Sequence, residues 1–537
     1  PSDTLTSQLK SLAAQERWQD LVDAFQRSPD HSADDDYQYG IALAKLNRLD
    51  TARAAFLWAQ ERYPQDPRFP TELAGLAFKE RHREEAKKWI HRALQLSPSD
   101  EYAADFLGTL YFLDGNLEAC LKYWNRIRKP VIEGIGTEPK LKLDPVILDR
   151  ALAFSNGEVL RRQDLLASES RLRALGIFPV LNFQLEAKDN SNYNIALRAR
   201  ESNGFGSNKW FALLNTFRGV IFETVTPEYY NFKGSGTNIK SLYRWDQNKR
   251  RAFVSVSGPF RRNPQWQYQA RFDFRNENWL LDNFSALPEA DLGGANVRKE
   301  AAAFELSSFR AATWNWSTGA EFSHRDFRSV TSTLSPELFL GGNQLKHFIR
   351  ASYDLLRVPE HRLVVTVSAS SQEGRTWNAQ DSAFAKLQFQ SAQHWFPQAT
   401  GDDFEMQSRV RYGRTLGSVP FDELLMLGIE RDNELMMRGH NGSVDGRKGS
   451  APLGRNYFLV NWEMDKNLYG NGLLSLTLGP FVDTGKITDP NPALGTRKWL
   501  TDTGAQFKVR ALGARFAVTY GKDLRTGNNI FYAYVVR

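Results

Sequence analysis

The side chains that most often catalyse reactions or hold metals are thinly scattered in this sequence of 537 residues. It has eight histidines and a single cysteine, Cys120, and one cysteine cannot form an intrachain disulfide or a cysteine-based zinc site. We find no metalloprotease, serine-hydrolase, phosphate-loop or Cys-x-x-Cys motif. The paired acids Asp402 and Asp403 could bind a divalent ion, but a solvated loop is the simpler interpretation. The sequence therefore predicts neither an enzyme nor a metal, nucleotide or other cofactor.

One polar segment is unusually long for a connection between strands. "MMRGHNGSVDGRKGSAPLGRN" runs from Met436 to Asn456, contains five glycines, and is followed by an alternating strand that begins at Tyr457. A simple connection needs only a few residues. The role of this segment therefore has to be sought in the elements around it.

Composition limits the class of protein. Hydrophobic residues make up 41% and charged residues 24%, which fits neither a disordered chain nor a bundle of membrane helices. A formal net charge of +7 is small for this length, so the sequence predicts no nucleic-acid partner. The chain is too long for one hydrophobic core, which predicts several domains.

Residues 1–132 follow a helical period and repeat themselves. Glycines and prolines recur at spacings of 32 to 35 residues, at Gly40, Gly75 and Gly108 and at Pro64, Pro98 and Pro130. A period near 34 resembles that of tetratricopeptide repeats. A single helical hairpin cannot bury its own apolar stripe, so neighbouring hairpins must stack and form a concave face. We predict an all-α solenoid here.

Residues 133–203 predict a small α+β domain. Asp144 and Pro145 suit the cap and first position of a helix, and Gly176 suits the end of a second helix. Two strand-like runs follow, so the order is strand, helix, helix, strand, strand. The stretch from "FSNGEVLRRQDLL" to "YNIALRARE" resembles a POTRA domain, the polypeptide-transport-associated module.

From about Ser207 onward the hydrophobic period is two. In "YQARFDFR", Tyr268, Ala270, Phe272 and Phe274 alternate with polar or charged residues, and about sixteen segments repeat the scheme. Strands of about ten residues that are apolar on one face and charged on the other are typical of outer-membrane barrels. We predict that residues 204–537 form an antiparallel transmembrane β-barrel of about sixteen strands, since only a closed sheet satisfies its backbone in lipid.

The end of the chain carries a resemblance to a known superfamily. "LLMLGIERDNELMMRGH", "PLGRNYFLVNWEM" and "GPFVDTGKI" resemble the corresponding parts of the BamA/TamA/FhaC superfamily of outer-membrane insertases and translocators. In that superfamily a long loop folds into the barrel, and an arginine at its tip meets an acidic residue of a Phe-x-Asp-x-Gly motif on the wall. The resemblance implies that residues 428–456 are this loop. Its tip would be Met437, Arg438, Gly439 and His440, and its wall partners Phe481, Asp483 and Gly485.

This chain departs from the superfamily pattern at two places. His440 stands where the family usually has phenylalanine or tyrosine, and the last residue is Arg537 rather than an aromatic. An imidazole is flat and can stack in place of an aromatic ring.

The resemblance also implies a function and a location. We expect an outer-membrane protein translocase or insertase, in contact with outer-membrane lipid, whose N-terminal domains lie in the periplasm. The POTRA-like domain would offer a polypeptide client an edge strand, and the repeats would bind another periplasmic protein. The first and last barrel strands would form a lateral seam. The residues expected at these places are Tyr193, Ile195, Leu197 and Glu201 in the edge strand, and Trp210, Phe211, Phe531, Tyr532 and Tyr534 at the seam.

Two other functions fit helical repeats joined to a barrel. The chain could export a polysaccharide or another polymer, for which a charged lumen is suitable. It could also be a scaffold, in which the barrel anchors the repeats so that they recruit periplasmic proteins.

Overall fold

A computed structural model describes residues 2–188, 192–206, 212–213, 216–217, 219–284, 290–377, 381–398, 401–470, 474–511 and 514–535. Contacts divide the chain into two compact units. The first comprises Pro1–Gly134, Asn156–Arg162 and Gln184–Ile195, and the second comprises Ile135–Ser155, Gln163–Phe183 and Ala196–Arg537. Within the described residues, no helix has both the length and the apolar character needed to cross a membrane.

The first unit begins with eight helices that follow one another as hairpins. They are α1 (Ser2–Ala14), α2 (Trp18–Gln26), α3 (Ala33–Lys45), α4 (Leu49–Arg62), α5 (Arg68–Lys79), α6 (Arg83–Leu96), α7 (Glu101–Leu113) and α8 (Leu117–Trp124). Ser32 starts α3 with a capping box, and Asp100 caps α7 by accepting a hydrogen bond from the backbone of Ala103. Polar caps of this kind satisfy the free N–H groups of a first turn.

Two of the three repeated glycines are required by packing within a hairpin. A Cβ at Gly40 would lie 2.2 Å from the ring of Phe56, and a Cβ at Gly108 would lie 2.2 Å from that of Trp124. A Cβ at Gly75 would meet no atom within 4 Å. The repeated glycine therefore lets two helices approach closely in the hairpins α3–α4 and α7–α8, whereas α5 has room for a larger residue.

A three-stranded sheet follows the helices. Its elements are β1 (Val131–Glu138), α9 (Pro145–Ala151), α10 (Arg162–Ala174), β2 (Val180–Ala187) and β3 (Asn192–Arg200). The order strand, helix, helix, strand, strand is the one predicted. The Asp144 side chain accepts a hydrogen bond from the backbone of Val146, and Gly176 has a φ of 67° after α10. Local sequence signals therefore determine where both helices begin or end.

The prediction that β3 is an edge strand is wrong. The strand order is β1-β3-β2, so the strand that carries Tyr193, Ile195 and Leu197 has a neighbour on each side. Ile195 and Leu197 are buried, and Tyr193 packs against Trp124 with ring centroids 5.2 Å apart. Glu201 lies beyond the strand and accepts a hydrogen bond from the backbone of Lys142. The edges belong to β1 and β2, because β1 pairs with the strand that sequence order alone would leave outermost.

The second unit contains a large antiparallel sheet, as predicted. Its described residues include fourteen strands of seven or more residues, and each pairs with the next along the chain. They are β4 (Asn238–Arg244), β5 (Lys249–Phe260), β6 (Asn263–Asn283), β7 (Ala290–Ser308), β8 (Trp314–Arg328), β9 (Gly342–Val358), β10 (Leu363–Trp377), β11 (Ser382–Trp395), β12 (Phe404–Gly417), β13 (Asn456–Gly470), β14 (Leu474–Thr488), β15 (Leu500–Ala511), β16 (Ala514–Asp523) and β17 (Asn529–Val535). The count of about sixteen strands stays a prediction.

The two faces of this sheet are inverted relative to a water-soluble protein. In β8 Phe322 is exposed, whereas the adjacent Glu321 and Ser323 are buried. In β9 Leu345 is exposed, whereas the adjacent Lys346 is buried. Alternation therefore places apolar side chains outside and charged side chains inside, which is the pattern of strands that face hydrocarbon.

Candidate functional site

The connection between β12 and β13 is the candidate site. It covers residues 418–455, which we call the folded loop, and so it starts ten residues before the predicted position 428. Its parts are held to one another by backbone hydrogen bonds. Leu427 N–H donates to the carbonyl of Pro452 at 2.9 Å, and Gly442 N–H donates to that of Ile429 at 2.8 Å. The loop is therefore an ordered element of the second unit.

Arg438 is held by side chains of three neighbouring strands. Its Nε and Nη2 donate to the two carboxylate oxygens of Asp483 at 2.8 and 2.6 Å. Its Nη1 donates to Glu463 at 2.6 Å and to Gln506 at 3.0 Å. The guanidinium carbon lies 4.0 Å from the centre of the Phe481 ring. Two parallel hydrogen bonds and a stacked ring fix both the position and the plane of the guanidinium.

The charge of Arg438 is well compensated. Arg438 is 5% exposed and Asp483 is 0% exposed. Burial alone would lower the pKa of Arg438, but the hydrogen bonds and negative charges of Asp483 and Glu463 raise it above its usual range. The side chain therefore stays a cation at every physiological pH.

The structure brings the other predicted tip and wall residues together as well. Met437 is fully buried, and its sulfur would lie 3.4 Å from a Cβ placed at Gly485. A Cβ at Gly439 would lie 2.6 Å from the carboxylate carbon of Asp502, while the Gly439 N–H donates to that carboxylate at 2.6 Å. Gly439 thus allows loop and wall to approach closely, whereas a Cβ at Gly485 would lie at an ordinary contact distance from the methionine sulfur.

The wall beneath the tip is a row of three aspartates. Asp483, Asp502 and Asp523 lie directly opposite one another on β14, β15 and β16, and we call them the aspartate row. Like charges at such positions repel. Arg438 contacts the first aspartate, and His440 lies between the other two, with Nδ1 3.1 Å from Asp502 and Nε2 3.6 Å from Asp523. His440 therefore makes polar contacts at the loop tip, where the resemblance implies an aromatic ring.

Asp502 and Asp523 were not singled out from the sequence. One signal could have pointed to the first, because the tripeptide Asp-Thr-Gly occurs at 483–485 and again at 502–504. No comparable signal marks Asp523. Its place in the row follows from strand register, which the sequence does not give.

A second part of the folded loop is held with the charges reversed, because here the loop supplies the carboxylate and the strands supply the cations. Glu423 accepts hydrogen bonds from Lys386 at 2.6 Å, Lys346 at 3.1 Å and Lys299 at 3.3 Å, and Arg325 lies 3.5 Å away. These cations come from β11, β9, β7 and β8. Burial would raise the pKa of Glu423, but the surrounding positive charges hold it well below its usual range. We call these four residues the cation cage.

An apolar contact accompanies the cage. Phe421, two residues before Glu423, is 1% exposed. Its ring centre lies 5.0 Å from that of Trp279 and 5.1 Å from that of Phe339. A short turn at Phe421–Glu423 thus places one ring in an aromatic pocket and one carboxylate among cations.

Further ion pairs follow the same polarity. Asp432 contacts Arg244 at 2.9 Å and Arg251 at 2.6 Å, and Glu430 contacts Lys249 at 2.9 Å. Basic groups on β4, β5, β7, β8, β9 and β11 therefore contact acidic residues of the folded loop, whereas β13 to β16 present carboxylates to it. Glu277 on β6 is an exception, because it pairs with Lys448 of the loop at 2.6 Å. This division was not predicted, because the paired residues lie far apart in sequence.

The predicted seam is described on one side only. Trp210 and Phe211 lie outside the described residues. On β17, Phe531 is 75% exposed, while the Tyr534 hydroxyl accepts a hydrogen bond from Gln506 at 3.0 Å. Tyr532 and Tyr534 pack with ring centres 5.8 Å apart. The last strand thus has one outward aromatic and two on its polar face, and the seam stays a proposal.

Comparisons with known proteins find similar structures only. No protein-family model matches the sequence, and no curated protein matches it. Similar solved structures include BamA from Haemophilus ducreyi lacking POTRA domains 1–3, at 13% identity over 75% of this chain and 84% of that chain, with a TM-score of 0.43. CdiB from Escherichia coli is similar at 12% identity over 75% and 74%, with a TM-score of 0.48. CdiB from Acinetobacter baumannii is similar at 11% identity over 78% and 82%, with a TM-score of 0.43.

BamA, one of these similar structures, is also among the proteins that give the superfamily resembled by the sequence its name.

Proposed function

We propose that this chain is an outer-membrane protein that translocates or inserts polypeptide clients without a nucleotide or other cofactor. The observation that carries the proposal is Arg438, which a folded loop places on Asp483 and Glu463 of the strand wall. In this proposal residues 1–132 are periplasmic repeats, residues 133–203 are a POTRA domain, and residues 204–537 form a closed barrel of about sixteen strands.

The contacts of the folded loop support closure of the sheet. Asp432 contacts Arg244 on β4, and Arg438, six residues later, contacts Gln506 on β15. Six extended residues span at most about 21 Å. In a flat sheet, eleven strand spacings would separate β4 from β15 by about 53 Å. The sheet must therefore curve strongly around the loop, and a barrel is the curved form that leaves no free edge.

The inverted faces support a location in lipid. Large apolar side chains are exposed on strands throughout the sheet, among them Phe272, Phe304, Phe389, Leu478 and Phe507. An exposed apolar surface that extends over many strands marks a membrane or protein contact. Hydrocarbon is the contact that covers every strand of a barrel equally.

The small α+β domain gives the client its entry. Arg171 of α10 donates hydrogen bonds to the carbonyl oxygens of Phe309, at 3.3 Å, and Arg310, at 2.9 Å, in the turn between β7 and β8. This contact holds α10 against that turn. With β3 central, an edge strand such as β2 is the one that accepts an extended client by main-chain hydrogen bonds. The repeats then recruit a periplasmic protein, and the seam between the first and last strands opens laterally.

Conductance of the full chain in planar bilayers tests the proposal. A translocase closed by its loop is expected to show small, flickering openings, and Arg438→Ala is expected to increase their size or frequency. A stable large pore in the unaltered chain would instead identify an exporter of another polymer. Silence of both proteins would identify an anchored scaffold.

A photo-crosslinking residue in place of Val180, an exposed residue of β2, tests the client. The proposal expects crosslinks in living cells to unfolded outer-membrane or secreted polypeptides, and these should diminish when the residue is moved to the central β3. Equal crosslinking from both strands would contradict the edge-strand mechanism.

A further inference from the structure

Two members of the aspartate row lack a strong cationic partner. Asp483 has Arg438, but Asp502 is 0% exposed and Asp523 is 3% exposed, and His440 is the one basic side chain that contacts them among the described residues. Buried carboxylates are costly unless they are paired with a cation or coordinate a metal. The negative charge of two carboxylates that share one imidazole is therefore only partly compensated.

The hydrogen bonds of these carboxylates leave one oxygen unused. In Asp502, Oδ2 accepts from the Gly439 N–H, while Oδ1 is buried without a hydrogen-bond partner. In Asp523, Oδ1 accepts from the backbone of Arg525 and Oδ2 from the hydroxyl of Thr526. The unused oxygen of Asp502 is a lone-pair donor in a place that water does not reach freely.

The same three side chains have the composition of a metal site. One ligand atom from each of His440, Asp502 and Asp523 lies within 4.8 Å of the others. Imidazole nitrogen and carboxylate oxygen both bind Zn²⁺ at about 2.0–2.2 Å, and the nitrogen ligand favours a first-row transition ion over Ca²⁺ or Mg²⁺.

We propose that His440, Asp502 and Asp523 bind a divalent transition-metal ion of the Zn²⁺ class. The ion supplies the positive charge that the two aspartates lack and joins the loop tip to β15 and β16, beside the Arg438 contact. The site goes beyond the proposed function and does not depend on it. The sequence does not reveal this site, because the three ligands lie on separate elements and form no local motif.

Calorimetric titration of the chelator-treated full chain in detergent with Zn²⁺ tests the site. We expect binding of one ion, and we expect His440→Asn and Asp523→Asn each to weaken it by more than about a hundredfold, since loss of a group that merely supports a ligand already costs about 10–100-fold. His324→Asn is the matched control, because His324 lies 3.4 Å from Asp326 in an exposed pair. The control should leave the affinity unchanged.

A second readout separates lost binding from lost folding. Co²⁺ bound in place of Zn²⁺ should give visible absorption bands in the unaltered chain and in His324→Asn, but not in His440→Asn. Sheet content of each variant is checked by circular dichroism. The proposal is overturned if Zn²⁺ does not bind, if it binds equally well to a folded His440→Asn variant, or if Mg²⁺ competes with it at equal concentration. Anchoring of the tip by protonated His440 without any effect of Zn²⁺ would also overturn it.

Discussion

The folded loop is held at two places that use opposite charges, and the comparison shows how differently a charge can be anchored. At the aspartate row, one planar cation receives two-point hydrogen bonds from Asp483 and stacks on Phe481. At the cation cage, one carboxylate is surrounded by point charges from four strands. The first anchor depends on geometry, whereas the second depends on the number of charges.

The two anchors should release the loop in a fixed order. A two-point contact is lost when the tip moves by a small distance, because the hydrogen bonds are directional. A carboxylate among several cations keeps attraction over a longer distance. We therefore expect the tip at Arg438 to release before the turn at Phe421–Glu423 when the loop moves.

Of the changes considered, Arg438→Ala should lower the free energy of loop opening most. It leaves Asp483 buried without its cation, and breaking a buried pair costs about 3–5 kcal/mol. Hydrogen exchange of the Leu427 and Gly442 amides measures this as a lower free energy of loop opening. Arg438→Lys keeps the charge but loses the two-point contact. Its free energy of loop opening should therefore lie between that of Arg438→Ala and that of the unaltered chain. Equal exchange in all three would contradict the geometric account of this anchor.

Glu423→Gln should have a smaller effect. The amide keeps an oxygen that can accept from one lysine but removes the charge that the cage surrounds, for an expected cost of about 1–3 kcal/mol in loop opening. Glu300→Gln is the matched control, since Glu300 belongs to an exposed pair with Arg298. A loss as large as that of Arg438→Ala would mean that the two anchors are not of different kinds.

Phe421→Leu tests the apolar part of the second anchor. Leucine fills much of the pocket but loses the ring contacts with Trp279 and Phe339, which are worth about 0.5–1.5 kcal/mol. The same exchange measurement applies, with Phe260→Leu as the control at an exposed position. If Phe421→Leu left the free energy of loop opening unchanged, Glu423 alone would hold this turn.

The smallest effect is expected from pH in the neutral range. The pKa of Glu423 is held below its ordinary value of 4.5, so its contribution is complete above that pH and is lost as pH falls through the lower folded value. The pKa of Arg438 is raised above its ordinary value, so its contribution to holding the loop is complete throughout the physiological pH range. The hold of Glu423 and Arg438 on the loop should therefore not change between about pH 6 and 8. Release of the loop within that range would point to His440, the imidazole between Asp502 and Asp523.

What the sequence predicted followed from local signals and short periods. Asp144, Pro145 and Gly176 marked helix ends, and the alternation around Phe272 marked a two-faced strand. The tip and wall residues came from a motif that the superfamily shares. Each of these depends on residues near one another in the sequence.

What the sequence did not predict depends on distant pairing. Tyr193 was placed on a free edge because a final strand has no later neighbour, but β1 occupies that side. The cation cage joins Glu423 to residues 37 to 124 positions away, and Asp523 enters the aspartate row through register alone. Periodicity predicts the face of the sheet on which a side chain lies and not the distant residue that it contacts.

A disulfide between the loop tip and the wall tests the central claim most directly. Met437 and Gly485 lie in contact, with the methionine sulfur 3.4 Å from the position of a Cβ on the glycine. In a purified, folded chain with Cys120→Ala, the pair Met437→Cys and Gly485→Cys should form an intramolecular disulfide under mild oxidation, and neither single variant should do so. A folded double variant whose two thiols both stay free would contradict a loop tip that rests on β14.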